Sequence, residues 1–260
     1  MKPDISLPIL TRRFVPVWRR NFLVWKKLAA ASILGNIMDP MIALVAFGYG
    51  LGGLLPRIDG VTYIQFLAAG TVCMSSMNAA TFEALYSAFS RMHVQRTWDG
   101  IMNAPVALED VMLGELTWAA TKALMSGTAI MLVVSLLGLA HGFQSLLILP
   151  VVLLIGLAFS ALGLVFNSLA RGYDFFTYYF TLVMTPMSFL SGVFFPVTQL
   201  PWWLHAISQA LPLTHAVELV RPLLLGEWPS APLTNIAVLA GYTLAGTYLA
   251  VVLTRRRLLS

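Results

Sequence analysis

The stretch LLILPVVLLIGLAFSALGLVFNSL, residues 146–169, contains 24 residues and no charged side chain. An α-helix needs about 20 apolar residues to cross the hydrocarbon core of a bilayer, so this stretch is long enough for one crossing. Five further windows, at residues 28–54, 64–89, 111–139, 175–195 and 233–253, meet that length or come close to it. Backbone amides in hydrocarbon must be paired within their own segment, and no alternating barrel pattern occurs. The sequence therefore predicts an all-α integral membrane protein with six transmembrane helices.

The composition of the whole chain agrees with this prediction. Of its 260 residues, 58% are hydrophobic and 10% are charged, and the mean hydropathy is +0.81. Soluble domains carry about 25% charged residues, so this chain has too few to cover a surface that faces water.

The basic residues predict the orientation of the chain in the membrane, because Lys and Arg collect in short cytoplasmic loops. Thirteen of the 16 lie on one side of the windows, against two on the other and one inside a window. The two are Arg57 and Arg221, and the one inside is Lys122. This count predicts a multi-pass protein of a bacterial inner membrane with both termini in the cytoplasm. The net charge of +5 then reflects topology, and no nucleic-acid partner is expected.

The chain divides into a cytoplasmic leader at residues 1–27, a transmembrane domain at 28–254 and a basic cytoplasmic tail at 255–260. In the leader, Trp18, Phe22 and Trp25 follow Pro16 at helical spacing, and basic residues occupy the other face. This pattern is typical of an amphipathic helix at the inner interface, with its aromatic rings at the acyl boundary and membrane lipids as partners. The alternative is a basic segment that only sets the topology.

A polar segment, RTWDGIMNA at residues 96–104, lies between the second and third windows. It is long enough for two helical turns, and Pro105 follows it. A short helix across the cytoplasmic ends of two spans would move both spans when pushed. An ordinary polar loop is the alternative that spacing alone leaves open.

Two short segments follow the fifth window, at residues 200–225. Each has Pro at a helix-opening position, Pro201 and Pro212, and each is too short to cross the bilayer. The sequence predicts two exoplasmic re-entrant helices, with Trp202 and Trp203 at the level of the interface.

Three segments together resemble the membrane subunit of ABC-2 type exporters: FFPVTQLP, LPLTHAVELVRPLLLG and RTWDGIMNAPVALEDVMLGE. Within that family the chain is most similar to the nodulation-factor (lipo-chitooligosaccharide) export permeases. The resemblance implies that residues 96–104 are a coupling helix that contacts a separate ATPase. It also implies a homodimer with two ATPase subunits, which bind ATP and Mg²⁺, and an outer segment that closes the exit. The implied contacts with the ATPase are Arg96, Trp98, Asp99, Met102 and Asn103; the implied exit residues are Trp202, Trp203, His215, Glu218 and Arg221.

The sequence agrees in lacking a G-x-x-x-x-G-K-[ST] phosphate loop, so we expect no ATPase activity and no cofactor in this chain. The cargo is expected to be an amphiphile, either a lipo-oligosaccharide or glycolipid, or a drug or other small amphiphile. A polytopic membrane enzyme is the alternative of another class. His93, His141, His205 and His215 are assigned to different loops without metal-binding spacing, and no histidine on a span could activate Ser191. We therefore expect no metal site and no catalytic residue.

Three charged residues fall within the windows: Asp39, Glu83 and Lys122. Charges in a bilayer are costly, so they usually pair or face a cavity. Glu83 and Lys122 lie at similar depth on neighbouring antiparallel spans, which predicts an ion pair that either sets helix register or contacts the substrate. Asp39 either lines the path or accepts a hydrogen bond from another helix. A similar pairing is expected one helical turn apart between Glu218 and Arg221.

The segment YDFFTYYF, residues 173–180, contains six aromatic residues at the cytoplasmic start of the fifth window. Aromatic rings stack on sugar faces, so the cluster could form a substrate entrance, and an ordinary interfacial aromatic belt is the alternative. The candidate entrance residues are Tyr173, Phe175, Phe176, Tyr178 and Tyr179.

Overall fold

The computed structural model describes residues 11–55, 57–58 and 60–258, apart from the side chains of Ala31, Asn36 and Asp39. The predicted role of Asp39 therefore lies outside the described residues. Helices joined by short turns form almost all of the described chain. They are α1 (Phe14–Lys26), α2 (Ala29–Gly50), α3 (Tyr63–Phe82), α4 (Thr97–Met102), α5 (Leu108–Leu136), α6 (Ile148–Leu169), α7 (Asp174–Tyr179), α8 (Thr185–Leu190), α9 (Trp202–Ala210), α10 (Pro212–Leu225) and α11 (Pro232–Leu258).

Four helical stretches of the described chain are long and apolar enough to cross a membrane, namely Ser32–Gly50, Leu108–Leu136, Phe143–Leu169 and Pro232–Leu258. They coincide with the first, third, fourth and sixth predicted spans, which confirms a helical protein with several apolar helices. The windows at residues 64–89 and 175–195 are also helical. The first of these contains many polar side chains and the second is short, so the count of six spans stays a prediction.

Two of the helical columns contain π-helical turns. Beyond α3 the helix continues without a break through π-helical stretches at Glu83–Ser87 and Ser90–Val94. A third stretch, Phe180–Met184, joins α7 to α8. Such wide turns are rare and frequently occur at functional sites, which directs attention to the end of the helix that continues α3.

Helix α6 lies at the centre of the molecule and contacts α3, α5, α10 and α11. Close approach is possible because small residues lie at the crossings. A Cβ atom on Gly156 would lie 2.8 Å from Cβ of Ala123 in α5, and one on Gly163 would lie 2.8 Å from Cβ of Ala84. The central helices therefore have little room to slide past one another.

The helices of residues 200–225, the segment predicted to be exoplasmic, begin at the predicted prolines. Helix α9 starts immediately after Pro201, α10 starts at Pro212, and Gly226 ends α10 in the left-handed conformation with φ of +80°. Most of α10 is buried against α3, α6 and α11, so it belongs to the packed core of the molecule.

Both termini differ from the predictions. Helix α1 begins at Phe14 rather than at Pro16. The rings of Trp18, Phe22 and Trp25 contact Trp118 of α5, with centroids 6.0–6.4 Å apart, so the aromatic face packs on protein and the prediction that it faces lipid is wrong. At the other end, α11 continues through the residues assigned to the tail. There, buried Arg255 donates from Nε to Oε1 of Glu109 over 2.8 Å.

Candidate functional site: a charged network beside an open cleft

Helix α4 is the structured part of the segment predicted at residues 96–104. It is separated from the end of the α3 column by a sharp turn at Arg96, whose φ of 49° and ψ of 33° are left-handed. A residue with a Cβ atom rarely adopts this conformation, which costs about 1–2 kcal/mol. Arg96, Asp99 and Asn103 are exposed, and Met102 is half-buried. These residues form the accessible side of α4.

Trp98 occupies the opposite side of α4. Its side chain is 1% exposed, and its indole Nε1 donates to Oε1 of Glu115 in α5 over 3.1 Å. The prediction that Trp98 contacts a partner is therefore wrong. An indole is driven out of water by its apolar area, and its single N–H finds a carboxylate inside the protein. Trp98 attaches α4 to α5.

Glu115 belongs to a buried charged network that sequence reasoning missed. Arg91 donates from Nε to both carboxylate oxygens of Glu115, at 2.9 and 3.1 Å, and from Nη2 to Glu83 Oε1 at 2.8 Å. Trp118 donates from Nε1 to the same Glu83 oxygen over 2.8 Å. The three charged side chains are only 12%, 9% and 1% exposed for Arg91, Glu83 and Glu115. The network joins the α3 column to α5, and through Trp98 to α4.

The π-helical turn explains how Glu83 and Arg91 come to face each other. In a regular α-helix, residues eight apart lie about 80° apart around the axis, since each residue advances by about 100°. The stretch Glu83–Ser87 lies between them and contains one surplus residue. The two side chains are then oriented like residues seven apart, separated by about 20°. The signal available in the sequence was the opposite charge of Arg91 and Glu115 at adjoining ends of two antiparallel spans.

The predicted ion pair between Glu83 and Lys122 is wrong. The Glu83 carboxylate is occupied by Arg91 and Trp118, whereas Lys122 Nζ donates to Oγ of Ser32 in α2 over 2.6 Å. The same Nζ lies 5.5 Å from the centroid of the Trp25 ring. The direction in which the side chains point around the helix axes was not predicted, since Arg91, eight residues further along the chain, binds the Glu83 carboxylate instead.

Helix α1 is fastened along α5 beside this network. Trp18 Nε1 donates to Thr121 Oγ1 over 3.0 Å, and Arg20 Nη2 donates to Thr97 Oγ1 of α4 over 3.4 Å. At Gly114, an added Cβ would lie 2.6 Å from Cβ of Val17, so glycine is needed for this contact. The leader thus contacts both α4 and α5.

An open cleft of about 870 Å³ lies between α1, α2, α3, α5 and the α7–α8 column. The charged network contributes Glu83, Arg91 and Trp118 to its wall. Deeper, its polar lining includes Ser75, Ser126, Asn78, Ser188, Ser32 and Lys122, and its apolar lining includes Met74, Phe82, Phe180 and Met184. The combination of polar and apolar walls in one cleft suits an amphiphile.

The aromatic cluster at residues 173–180 divides into two parts. Phe176 and Tyr179 are buried, at 0% and 3% exposure, and pack on rings of α6 and of the α3 column. Phe175 is half-buried, and Tyr173 and Tyr178 are exposed. These five residues do not line the cleft, which the segment reaches only at Phe180. A packing role accounts for Phe176 and Tyr179.

The five predicted exit residues also divide. His215, assigned to a loop, lies buried on α10, where its ring nitrogens are 2.7 Å from Asn235 Oδ1 and 2.9 Å from the Gln209 carbonyl oxygen. The Arg221 guanidinium lies 3.6 Å from the Phe66 ring centroid and donates to the carbonyl of Gly192. These contacts fasten α10 to α11, α3 and the end of the fifth window. Glu218 is half-buried, while Trp202 and Trp203 are 84% and 51% exposed.

Comparison with known proteins identifies the family of this chain. A family model described as ABC-2 type transporter matches residues 12–225. Nodulation protein J of Rhizobium leguminosarum bv. viciae is 47% identical over 254 residues, which cover 98% of each chain. Nodulation protein J of Rhizobium meliloti (strain 1021) is 46% identical over 258 residues, 98% of this chain and 97% of the relative. The inner membrane transport permease YadH of Escherichia coli (strain K12) is 23% identical over 230 residues, 88% of this chain and 89% of the relative. The chain therefore belongs to the ABC-2 type transporter family.

Proposed function

We propose that this chain is the transmembrane subunit of an ATP-driven exporter and that a separate ATPase binds the exposed side of α4. The docking residues in this proposal are Arg96, Asp99, Met102 and Asn103, without the buried Trp98. ATP and Mg²⁺ belong to the partner, and this chain contributes the mechanical connection to the membrane domain.

The charged network supports this proposal more than any other observation. Trp98 attaches α4 to Glu115, and Arg91 binds Glu115 and Glu83 together. Largely buried side chains held by several hydrogen bonds transmit displacement, because breaking any one contact leaves a buried polar group unpaired. A push on α4 therefore moves α5 and the cytoplasmic end of the α3 column as one body.

The proposed membrane arrangement has six spans with both termini in the cytoplasm of a bacterium. The α3 column and the α7–α8 column supply the second and fifth spans. The cleft is open on one side of a single chain, and a second copy facing that side would enclose it. We therefore propose a homodimer served by two ATPase subunits, with residues 200–225 at the exit.

The proposed cargo is a lipo-oligosaccharide or related glycolipid. Two observations support this class: the mixed polar and apolar lining of the cleft, and relatives named Nodulation protein J at 44–47% identity over 97–98% of this chain. An exporter of a different small amphiphile would need the same coupling helix and ATPase and would differ in the residues that line the cleft.

The docking proposal can be tested on residues whose replacement does not disturb packing. Asp99→Ala combined with Asn103→Ala changes two exposed side chains of α4. We expect this variant to insert normally, to lose co-purification with its ATPase partner, and to lose transport. Asp174→Ala, an exposed acidic residue elsewhere on the predicted cytoplasmic side, is the matched control. Normal co-purification and transport by the double variant would refute the assignment.

A further inference from the structure

The deep part of the cleft holds an ammonium that is only partly paired among the described residues. Lys122 is 9% exposed, and Ser32 is the only partner that its three N–H donors contact, over 2.6 Å. No carboxylate of a described side chain lies within 4 Å of its Nζ. A cation at this depth is costly unless an anion or cavity accompanies it.

Two further donors lie on α1 in the same cleft. Asn21 Nδ2 and Trp25 Nε1 are both buried and make no hydrogen bond with described residues. Asn21 and Trp25 are four residues apart and therefore lie on one face of α1. Trp25 is also the ring beside Lys122. An unpaired buried donor costs about 1–3 kcal/mol, so these two donors beside an incompletely paired ammonium favour a ligand that supplies acceptors.

We propose that Lys122, Asn21 and Trp25 form a binding site for the anionic, oxygen-rich headgroup of the exported amphiphile. The headgroup accepts from the Lys122 ammonium and, once the two side chains turn toward it, from the Asn21 amide and the Trp25 indole, and the apolar tail lies along Phe82, Phe180 and Met184. This inference rests on the proposed function, because it specifies the class of cargo. Lys122 is then the residue that selects for negative charge.

The test uses the full chain in phosphatidylcholine nanodiscs with two photoactivatable lysolipids that share one acyl chain, lysophosphatidylglycerol and lysophosphatidylcholine. We expect labelling of peptides that line the cleft, with the anionic probe favoured roughly tenfold, as a charge-assisted hydrogen bond allows. Lys122→Met should abolish the preference, and Lys122→Arg should retain it. Lys26→Met, which removes an exposed charge from α1, is the matched control.

Asn78→Asp provides a second route if Lys122→Met does not insert. Asn78 is an exposed residue of the cleft lining, and a carboxylate there would repel an anionic headgroup without changing side-chain volume. The preference for the anionic probe should then fall. An equal yield from both probes in the natural sequence, or an unchanged preference in both Lys122→Met and Asn78→Asp, would overturn the inference.

A final arm separates cargo from a resident membrane lipid. In the complex with the ATPase, labelling by the anionic probe should decrease when ATP is hydrolysed, because cargo leaves the cleft. Labelling that is insensitive to ATP would identify a resident lipid and overturn the inference. Failure here with normal ATPase binding at α4 would leave the proposed exporter function intact.

Discussion

Replacement of Arg91 by Met should strongly destabilise the protein. Among the described residues Arg91 is the only cation bonded to Glu83 and Glu115, so the variant leaves two carboxylates buried without a cation. Removing one partner of a buried ion pair typically costs about 3–5 kcal/mol. For a chain of this size that corresponds to a fall of roughly 6–20 °C in the apparent melting temperature. Thermal unfolding in detergent would measure it, with exposed Arg12→Met as the control.

The triple variant Arg91→Met, Glu83→Gln, Glu115→Gln separates the role of the network in stability from its role in transmitting motion from α4 to the other helices. Without buried charges, most of the lost stability should return, since neutral replacements of buried ionic groups are often tolerated. Substrate-stimulated ATP hydrolysis should stay low, because the ionic contacts of Arg91 that join α5 to the α3 column are gone. A melting temperature of Arg91→Met equal to that of the natural sequence would refute the reasoning. So would a triple variant as unstable as the single one.

Two further predictions concern backbone positions. Gly114→Ala places a Cβ atom 2.6 Å from Val17, so it should cost about 1–3 kcal/mol of stability and make α1 more accessible to protease. The control is Gly241→Ala, where an added Cβ atom meets nothing within 4 Å and α1 should stay protected. Equal protection of α1 in both variants would contradict the predicted clash. Arg96→Gly should melt at a higher temperature than Arg96→Ala, because both variants lose the charge and only alanine retains the strain of a positive φ. Equal melting temperatures would show that the turn is not strained.

Much of the fold was predictable because it depends on local signals. Apolar length placed the long helices, and the position of a proline placed the starts of α9 and α10 to within a residue. Such signals depend only on the chain near the helix itself. The same holds for the exposed side of α4, where Asp99 and Asn103 were expected to be accessible and are.

The candidate site was less predictable because its contacts depend on rotation about helix axes. Regular helical spacing would turn Glu83 and Arg91 about 80° apart around the axis of the α3 column, and the π-helical turn reduces this angle to about 20°. Burial of Trp98 likewise depends on the left-handed turn at Arg96, which orients α4 against α5. Neither irregularity is marked by a glycine or proline in the sequence.

The wide turn at Glu83–Ser87 allows the number of residues in this helix to change without rotating the side chains that follow it. In most helices of this molecule, loss of one residue would rotate everything beyond it by about 100°. Here the surplus residue can be deleted and the π-helical turn becomes a regular α-helical turn. A relative with a one-residue gap at this place can therefore keep the residues beyond the turn in the same orientation. Equivalent residues of two relatives beyond this turn are therefore better identified by the side chains that they contact than by counting along the sequence.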